Sequence, residues 1–410
     1  MTTAERLAEW AAGLQPTTDD LALAERALQD TVAVALAARD EQILSICNVL
    51  GEAGQWATAS HVIDYDDLHM ESTTHISTVC VPVALATGGN ARAYLAGAGV
   101  MARLGVALGW GHYSSGWHAT TTSGALAAAV VAGTARGLDA QGLARAMALA
   151  VPAAGGVQRA FGTDGKSLQV GLAADAGIRA AELAAAGASA DPSAVDAWIE
   201  LLGGDATAVD CSGPAVPGGL AIKIYPACYA LQRPITALRQ ALSGVDLDPA
   251  DVRRVEVHTP AATVHPLIHH RPETGLQGKF SLEYAVATAV LDQQHGFAEF
   301  SDAAVRRPEA RRLVELVDTI VDDSGDWLLA GEVRVVVHVG DERHEARLQY
   351  PPGSPQRPPT PEEMGEKLAI CLAGSDVSAT DITWDGAAEI LRRNLTTDQD
   401  HHHEELEETP

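Results

Sequence analysis

Apolar residues recur at helical spacing through most of the first half of the chain. The stretch TTDDLALAERALQDTVAVALAAR (17–39) begins with a Thr/Asp capping signal and then carries apolar residues three or four positions apart. Three similar stretches, at 123–139, 140–156 and 167–187, end at glycine or proline. These segments are apolar on several sides, as in helices packed inside a bundle. We therefore predict helices from Ala4 to about Leu220.

After residue 222 the pattern mixes strands with helices. Alternating apolar and polar positions predict strands at 252–260, 332–340 and 345–353, and helical spacing predicts helices at 279–294 and 302–323. Helical patterns resume after the proline-rich stretch YPPGSPQRPPTPEE. The predicted fold class is mainly α, with a large all-helical domain built from residues 1–222 and 356–410 and a smaller α+β lid domain built from residues 223–355.

Composition narrows the classes of protein to which the chain can belong. Aromatic residues make up only 4% of the 410 residues, so the core must be built from small aliphatic side chains in closely packed helices. No apolar run reaches the roughly 20 residues that span a bilayer, and the acidic residues near the amino terminus are unlike a secretory signal or a transit peptide. Five widely spaced cysteines without a CxxC pair fit reduced thiols and no zinc or iron–sulfur cage, so we expect a cytoplasmic protein.

The net charge sets a condition on any anionic partner. A formal charge of −26 repels nucleic acid and anionic membrane surfaces, so neither is expected to bind. Part of this charge lies in the tail, whose histidines at 401–403 are interpreted as a solvated end and not as a chelating site. If the substrate is itself an anion, a local cluster of cations must overcome the general field.

Five polar stretches interrupt the apolar helical pattern. They are HVIDYDDLHMESTTHIS (61–77), GHYSSGWHATT (111–121), VQRAFGTDGKS (157–167), AIKIYPACYALQR (221–233) and GLQGKFSLEY (275–284). Taken singly, each has a structural explanation, as a helix cap, a buried core histidine or a solvated turn. Taken together, they supply the positive groups that a polyanionic substrate needs in an acidic protein. These groups are Arg159, Lys166, Lys223, Arg233 and Lys279, with His75 and His118.

The content and order of these stretches resemble the MmgE/PrpD family. The resemblance rests on DYDD with a histidine eleven residues after its first Asp, and on SGWHATTTSGALAAA, FGTDGKSLQVGLAADAG, KIYPAC and TGLQGKFSLEYAVATAVLD. It covers almost the whole chain. Family members include 2-methylcitrate dehydratase, cis-aconitate decarboxylase and iminodisuccinate epimerase. The resemblance implies the two-domain architecture given above, a homodimer, and catalysis without a metal or an organic cofactor.

The same motifs imply which residues form the site. Asp64 matches the first Asp of the family's acidic stretch, and His75 matches the histidine that follows it. His118 matches the histidine of SGxH, and Lys166 matches the lysine of FGTxxK. Lys223 matches the lysine before YP, and Tyr284 matches the tyrosine of KFSxxY.

Two positions depart from the decarboxylase and dehydratase patterns. Leu68 stands where those patterns often carry Thr, and Cys228 stands where the animal-type decarboxylase carries His. We expect Cys228 to lie about one helical turn beyond Lys223 and to help select the substrate.

The chemistry shared by the family is proton movement at a carbon next to a carboxylate. We expect His118 and His75 to transfer protons, since a neutral histidine titrates near the working pH. Lys166, Lys223 and Arg159 are expected to hold carboxylates, and Tyr284 to donate a hydrogen bond from the lid. Asp64 either binds substrate or orients a histidine or lysine. Cys228, Arg233 and Lys279 complete the predicted substrate-binding set.

Three functions remain open on the sequence. The first is a lyase that removes water or CO2 from a small di- or tricarboxylate. The second is an epimerase of an amino- or imino-dicarboxylate such as iminodisuccinate, and the third is a non-catalytic paralogue that binds a small acid. We predict no metal site at residues 64–75, because nearby lysines would repel a cation. Lys223 is predicted at the hinge of a cleft between the domains, where its replacement by Ala should abolish catalysis and leave folding stability nearly unchanged.

Overall fold

Helices dominate the part of the chain that the structure describes. The computed structural model describes residues 1–292, 296–322, 327–328 and 330–395. Between Ala4 and Leu220 it contains helices and turns but no β-strand, as predicted. The α-helices of this part are α1 (Thr3–Gly13), α2 (Thr18–Ala37), α3 (Ile43–Ile46), α4 (Glu52–Val62), α5 (Ser77–Ala86), α6 (Ala91–Ser114), α7 (Ala119–Ala135), α8 (Ala140–Ala150), α9 (Gly165–Ala185) and α10 (Ala194–Leu201).

Helix α7 lies at the centre of this bundle. Its residues from Ala119 to Gly133 are all buried, because α5, α6, α8 and α9 pack around it. The packing depends on side chains of minimal size. A Cβ added at Gly97 of α6 would stand 2.1 Å from Val131 of α7, and one at Gly177 of α9 would stand 2.3 Å from Ala128. The abundance of alanine and glycine in the sequence is therefore the condition for this close helix packing.

A four-stranded sheet forms in the second half of the described chain. The strands are β1 (Val252–Pro260), β2 (Val317–Asp322), β3 (Val333–Val339) and β4 (Glu342–Leu348), in the order β2-β1-β3-β4. Strand β1 runs parallel to β2 and antiparallel to β3, and β3 runs antiparallel to β4. The remaining helices are α11 (Tyr229–Ala241), α12 (Ala261–Val264), α13 (Gly275–Gly278), α14 (Leu282–Leu291), α15 (Asp302–Val305), α16 (Pro308–Val314), α17 (Pro361–Leu372) and α18 (Ala387–Leu395).

Two sequence predictions of secondary structure were wrong. The segment 302–323, predicted as one helix, contains α16 and then strand β2, whose Val317 pairs with Val255 of β1. The apolar spacing of the β2 part of this segment fits a short helix and a short strand equally well, and it forms a strand because it pairs with β1. The strand predicted at 345–353 is present but lies at Glu342–Leu348, before Pro351 and Pro352.

The buried apolar residues form two clusters. The first runs from Ala4 to Val216 and continues with residues from Leu368 to Leu391, so α17 and α18 return to the helical bundle as predicted. The second gathers the inner face of the sheet with α11 and α14, and it also takes in Leu68 and Phe161 from the first half of the chain. The mainly α fold class is thereby confirmed. The domain boundaries at 222/223 and 355/356 stay a prediction.

One helix has the length of a membrane span. Helix α6 is long and apolar enough to cross a bilayer by length and composition alone, although Arg103 interrupts its run of uncharged residues, and 83% of its apolar window is buried inside the protein. Burial of that kind is typical of a core helix. The tail histidines at 401–403 lie outside the described residues.

Candidate active site

The site is built around the turn that follows α4. His61 lies in the last turn of this helix, and the chain then runs through Asp64, Asp66 and Asp67, which are all buried. Asp64 has a φ of 56°, in the left-handed region that is uncommon for residues other than glycine. Backbone strain of this kind persists only where surrounding contacts hold it.

Lysine side chains supply those contacts. The chain has four lysines among its 28 basic residues, and all four are buried. Each donates to the segment from Ile63 to Tyr65. Lys279 reaches the Ile63 carbonyl (2.6 Å), Lys166 and Lys223 reach Asp64, and Lys367 reaches the Tyr65 carbonyl (2.8 Å).

Asp64 bridges two of these ammonium groups. Its Oδ1 lies 3.0 Å from Nζ of Lys166 and 2.9 Å from Nζ of Lys223. Burial alone would raise the pKa of Asp64, but the two ammonium groups outweigh burial and hold this pKa far below its usual range. Asp64 is therefore ionised, and the carboxylates in turn raise the pKa of Lys223 against the effect of its own burial.

Asp66 organises two histidines. Its Oδ2 lies 2.6 Å from Nδ1 of His61 and 3.1 Å from Nδ1 of His75. The other ring nitrogen of His61 lies 2.6 Å from Nζ of Lys166. Because an ammonium group can only donate, Nε2 of His61 accepts this hydrogen bond and Nδ1 carries the proton that is donated to Asp66. His61 thereby links Asp66 to Lys166.

His118 completes the cluster. It lies at the start of α7, its ring stacks on that of His61 at a centroid distance of 5.8 Å, and Phe161 meets it edge-on at 5.1 Å. Its Nδ1 lies 3.2 Å from Oε1 of Gln169. Its Nε2 is buried and has no hydrogen-bond partner among the described residues.

The histidines of the cluster are held neutral. Burial, together with the nearby Lys166, lowers the pKa of His61 to about 4 against the opposing effect of Asp66. Burial also lowers the pKa of His75. For His118, burial and then the neighbouring His61 and Lys166 all lower the pKa, so its ring is an unprotonated imidazole at neutral pH.

A small cavity opens at this cluster. Its lining includes His61, Asp64 and Lys166 on one side and Leu276 and Phe280 on the other. These residues come from both sides of the predicted boundary at 222/223. The cavity has a volume of about 10 Å³, which is room for about one water molecule.

The donor set does not favour a metal ion. One ligand atom from each of His61, Asp66 and His75 lies within 4.8 Å of the others, a spacing that a divalent cation could use. Hydrogen bonds already account for this arrangement, since Nδ1 of His61 lies 2.6 Å from Oδ2 of Asp66 and Nδ1 of His75 donates to the Asp67 carbonyl at 2.7 Å. Lys223 also lies 3.6 Å from Asp66, so a second cation would be repelled.

The structure brings together five of the predicted site residues: Asp64, His75, His118, Lys166 and Lys223. Lys279 and Cys228 adjoin them, and their substrate-binding roles stay a prediction. The Lys279 ammonium is held by the carbonyls of Ile63 and Pro226, and the residues from 223 to 228 are not helical. Cys228 precedes α11, and burial raises the pKa of its thiol to about 12.

Three predicted substrate contacts are not brought into the cluster. The Tyr284 hydroxyl donates to the carbonyl of Glu299, within the second apolar cluster. The buried Arg233 guanidinium donates to Thr263 and to the carbonyl oxygens of Leu328 and Gly331. Arg159 is exposed, and its side chain has no hydrogen bond or ion pair with the described residues. Tyr284 and Arg233 thus stabilise the fold around the sheet.

Sequence reasoning missed His61, Asp66, Gln169 and Lys367. A signal for Lys367 was present, because lysine is rare in this chain and arginine supplies nearly all surface positive charge. Gln169 follows Lys166 by three residues, so the two side chains share one face of α9. His61 and Asp66 stood in a stretch already marked by its density of histidine and aspartate.

Comparisons with known proteins show similarity over most of the chain. Residues 51–198 match the MmgE/PrpD N-terminal domain, and residues 225–382 match the MmgE/PrpD C-terminal domain. Two relatives from Aspergillus terreus, each named cis-aconitate decarboxylase, are 26% identical to this chain in an alignment 357 positions long that covers 76% of this chain and 72% of the relative. Apart from Lys223, which falls between the two matched ranges, the two domain models include the lysine–histidine cluster, which consists of His61, Asp64, Asp66, His75, His118, Lys166 and Lys223. The two domain models together match well over half of the residues, so the chain belongs to the MmgE/PrpD family.

Proposed function

We propose that the protein is a lyase that removes water or CO2 from a small di- or tricarboxylate without a metal or an organic cofactor. Membership of the family and the likeness to a decarboxylase support a lyase type of reaction. The observation that carries the proposal is a set of three buried polar atoms in the lysine–histidine cluster that have no hydrogen-bond partner among the described residues: Oδ2 of Asp64, Oδ1 of Asp66 and Nε2 of His118. Such atoms are costly to bury unless a ligand or water satisfies them.

The lysines meet the electrostatic condition for an anionic substrate. Lys166 uses two of its three N–H groups on His61 and Asp64, which leaves one for a substrate carboxylate. Lys223 directs its ammonium group at Asp64 and Asp66, so it acts by fixing Asp64. Buried ammonium groups stabilise the negative charge that develops next to a carboxylate when a proton leaves carbon.

His118 is the proposed base. Its neutral ring can take a proton from the carbon next to the substrate carboxylate at Nε2. In a dehydration the electron pair of that C–H bond forms the C=C bond, and the leaving hydroxyl takes a proton and departs as water. In a decarboxylation the C–C bond breaks, CO2 leaves, and the carbon takes a proton from the enzyme. His75, which lies beside His61 on the side of Asp66, is the proposed second proton-transfer group.

The small cavity at the lysine–histidine cluster must widen before a substrate can enter. A cavity of about 10 Å³ cannot contain a dicarboxylate, and its two walls come from segments far apart in sequence. We propose that residues 223–355 move as a lid relative to the helical bundle. Closure around the substrate would then exclude water from the lysine–histidine cluster.

A substrate panel tests the function. Purified protein is incubated with citrate, 2-methylcitrate, cis-aconitate and iminodisuccinate, while ultraviolet absorbance reports a change in C=C bonds and released CO2 is trapped. The matched control is His118→Asn, which keeps a polar side chain and removes the base. Formation of an alkene or of CO2 by the wild type and not by the control supports a lyase.

Other outcomes favour the two remaining functions. Uptake of solvent deuterium at carbon without a change in C=C bonds or CO2 identifies an epimerase. Binding of these acids without any turnover identifies a non-catalytic paralogue. Either result overturns the proposed lyase.

We also propose that the protein forms a homodimer. Leu172 and Leu183 are about half exposed on α9, and their spacing of eleven residues places them on one face of the helix. Exposed apolar faces of this kind are often covered by a second subunit. A stable monomer in light scattering at micromolar concentration would contradict the proposal.

A further inference from the structure

Gln169 joins the base to the loop at residues 155–161. This side chain extends from the first turns of α9 and contacts both His118 and Val157. Its Oε1 accepts the backbone N–H of Val157 at 3.0 Å, and its Nε2 donates to the Val157 carbonyl at 3.4 Å. The backbone N–H and carbonyl of Val157 thus bind the oxygen and the nitrogen of the Gln169 side-chain amide, respectively.

These two contacts fix the orientation of the amide. If the amide were turned over, its NH2 group would face the Val157 N–H and its oxygen would face the Val157 carbonyl, and both hydrogen bonds would be lost. Oε1 is therefore the atom that faces His118. Since a carbonyl oxygen only accepts, Nδ1 of His118 must carry the proton.

We propose that Gln169 is a positioning residue that fixes the tautomer of His118, with the proton on Nδ1 and the free electron pair on Nε2. This inference rests on the proposed role of His118 as base. A neutral imidazole has one nitrogen of each kind, so a donor at Nδ1 leaves an acceptor at Nε2. Nε2 is the ring nitrogen that is buried without a partner. The stacked ring of His61 and the edge-on ring of Phe161 hold the imidazole plane.

The tautomer can be measured without turnover. In protein labelled with 15N-histidine, the His118 signals are assigned by their absence in His118→Asn, and their shifts tell a protonated from an unprotonated ring nitrogen. We expect Nδ1 protonated and Nε2 unprotonated in the wild type at neutral pH. In Gln169→Met, which removes the acceptor and keeps the side-chain length, we expect a mixture of tautomers. A wild-type ring protonated at Nε2, or a Gln169→Met protein with unchanged ring signals, would overturn the inference.

Turnover supplies a second readout once the panel has identified a substrate. We expect Gln169→Met to lower kcat at least about tenfold while KM changes less than about twofold, because the fraction of correctly protonated base falls. The matched control is Gln55→Met, which removes one glutamine-to-backbone hydrogen bond (2.8 Å to the Leu50 carbonyl) in α4. We expect the control to keep the wild-type kcat. An equal loss in both variants would show a general effect of weakened packing and would count against the inference.

A charged replacement of Gln169 distinguishes an effect on the His118 tautomer from an effect on packing. Gln169→Glu keeps an acceptor for Nδ1 and for the Val157 N–H, and its charge stabilises the imidazolium form of His118. We expect this variant to retain the wild-type tautomer and to shift the acid limb of the kcat profile to higher pH. An unshifted limb would contradict the proposal. Correct ring signals in a protein that turns over no acid of the panel would instead reject the proposed function and leave the tautomer assignment standing.

Discussion

Lys223 donates to two oxygens of Asp64, the side-chain Oδ1 and the backbone carbonyl, each at 2.9 Å. The interaction is fully buried, and it holds a residue whose φ of 56° few side chains adopt. The sequence had led to the expectation that an unpaired Lys223 adds little to stability. The premise of that expectation was wrong, because the lysine is one partner of a buried ion pair.

Replacing Lys223 should therefore cost both stability and activity. In Lys223→Met the carboxylates of Asp64 and Asp66 lose a buried partner, which should lower the free energy of unfolding by about 3–5 kcal/mol. Turnover of the identified substrate should fall by several orders of magnitude, because Lys223 no longer holds Asp64, the carboxylate that pairs with Lys166. Denaturant unfolding and steady-state kinetics on the same samples measure the two effects.

A second variant distinguishes charge from shape at this position. Lys223→Arg keeps the charge, but its planar fork does not replace a compact ammonium group in a site without spare volume. Lys223→Arg should therefore be little more active than Lys223→Met. Wild-type turnover in either variant would show that the cluster is not the site.

Lys367 should affect activity from outside the site. Its ammonium group pairs with Asp30 at 2.6 Å and donates to the Tyr65 carbonyl, one residue beyond Asp64. Lys367→Met should lower kcat by about 10-fold to 100-fold, since small displacements of a catalytic segment carry penalties of this size. It should also destabilise the fold by leaving Asp30 buried without its partner.

The double variant Asp30→Asn/Lys367→Met separates these two effects. It removes the unpaired charge, so much of the lost stability should return, whereas kcat should stay low because the Tyr65 carbonyl still lacks its donor. If kcat recovers together with stability, Lys367 has no positioning role.

The elements that follow from local pattern were predictable, and those that depend on distant partners were not. Helix α7 contains one continuous run of small apolar residues and is buried on all sides, so the local sequence was enough to predict it. Strand β2 was mistaken for helix because six residues of ambiguous spacing become a strand by pairing with β1, which lies about sixty residues earlier.

The same division applies to the site. Sequence motifs were enough to predict the site residues that stand in short stretches of unusual composition. These are Asp64, His75, His118, Lys166 and Lys223. Lys367 lies in an ordinary amphipathic helix and reaches Tyr65 across 302 residues of sequence, so no local pattern connects them. The structure does not bring Tyr284 and Arg233 into the cluster, since their side chains donate to the Glu299 carbonyl and to Thr263, and their assignment to substrate stays a prediction.

Activity should survive removal of metal ions. Oδ2 of Asp66 and the Nδ1 atoms of His61 and His75 are engaged in hydrogen bonds, and Lys166 and Lys223 lie beside this group. Turnover after dialysis against EDTA should equal that of untreated enzyme, and added Zn²⁺ should not raise it. Loss of turnover with EDTA that is restored by one metal ion would overturn the proposed mechanism.

The last prediction concerns the pH dependence of stability. Asp67 is fully buried beside the site, where it accepts hydrogen bonds from the backbone N–H and the hydroxyl of Ser77. Burial raises the pKa of Asp67 to about 7, and the hydrogen bonds from Ser77 offset only part of this rise. The carboxyl is therefore protonated in the folded protein at pH 5 and ionised in the unfolded chain, whose carboxyl has an ordinary pKa of about 4.

The sign follows from proton linkage. Between about pH 4 and pH 7 the folded state binds more protons at this position than the unfolded state, so Asp67 makes stability fall as the pH rises through that window. Asp67→Asn is nearly isosteric and cannot ionise, so its loss of stability between pH 5 and pH 8 should be smaller than that of the wild type by a few kcal/mol. Parallel unfolding curves at the two pH values measure the difference, with Asp175→Asn, a buried aspartate that caps the start of α4 from α9, as the matched control. Equal pH dependence in the wild type and Asp67→Asn would show that Asp67 is ionised in the folded protein and would refute the assignment.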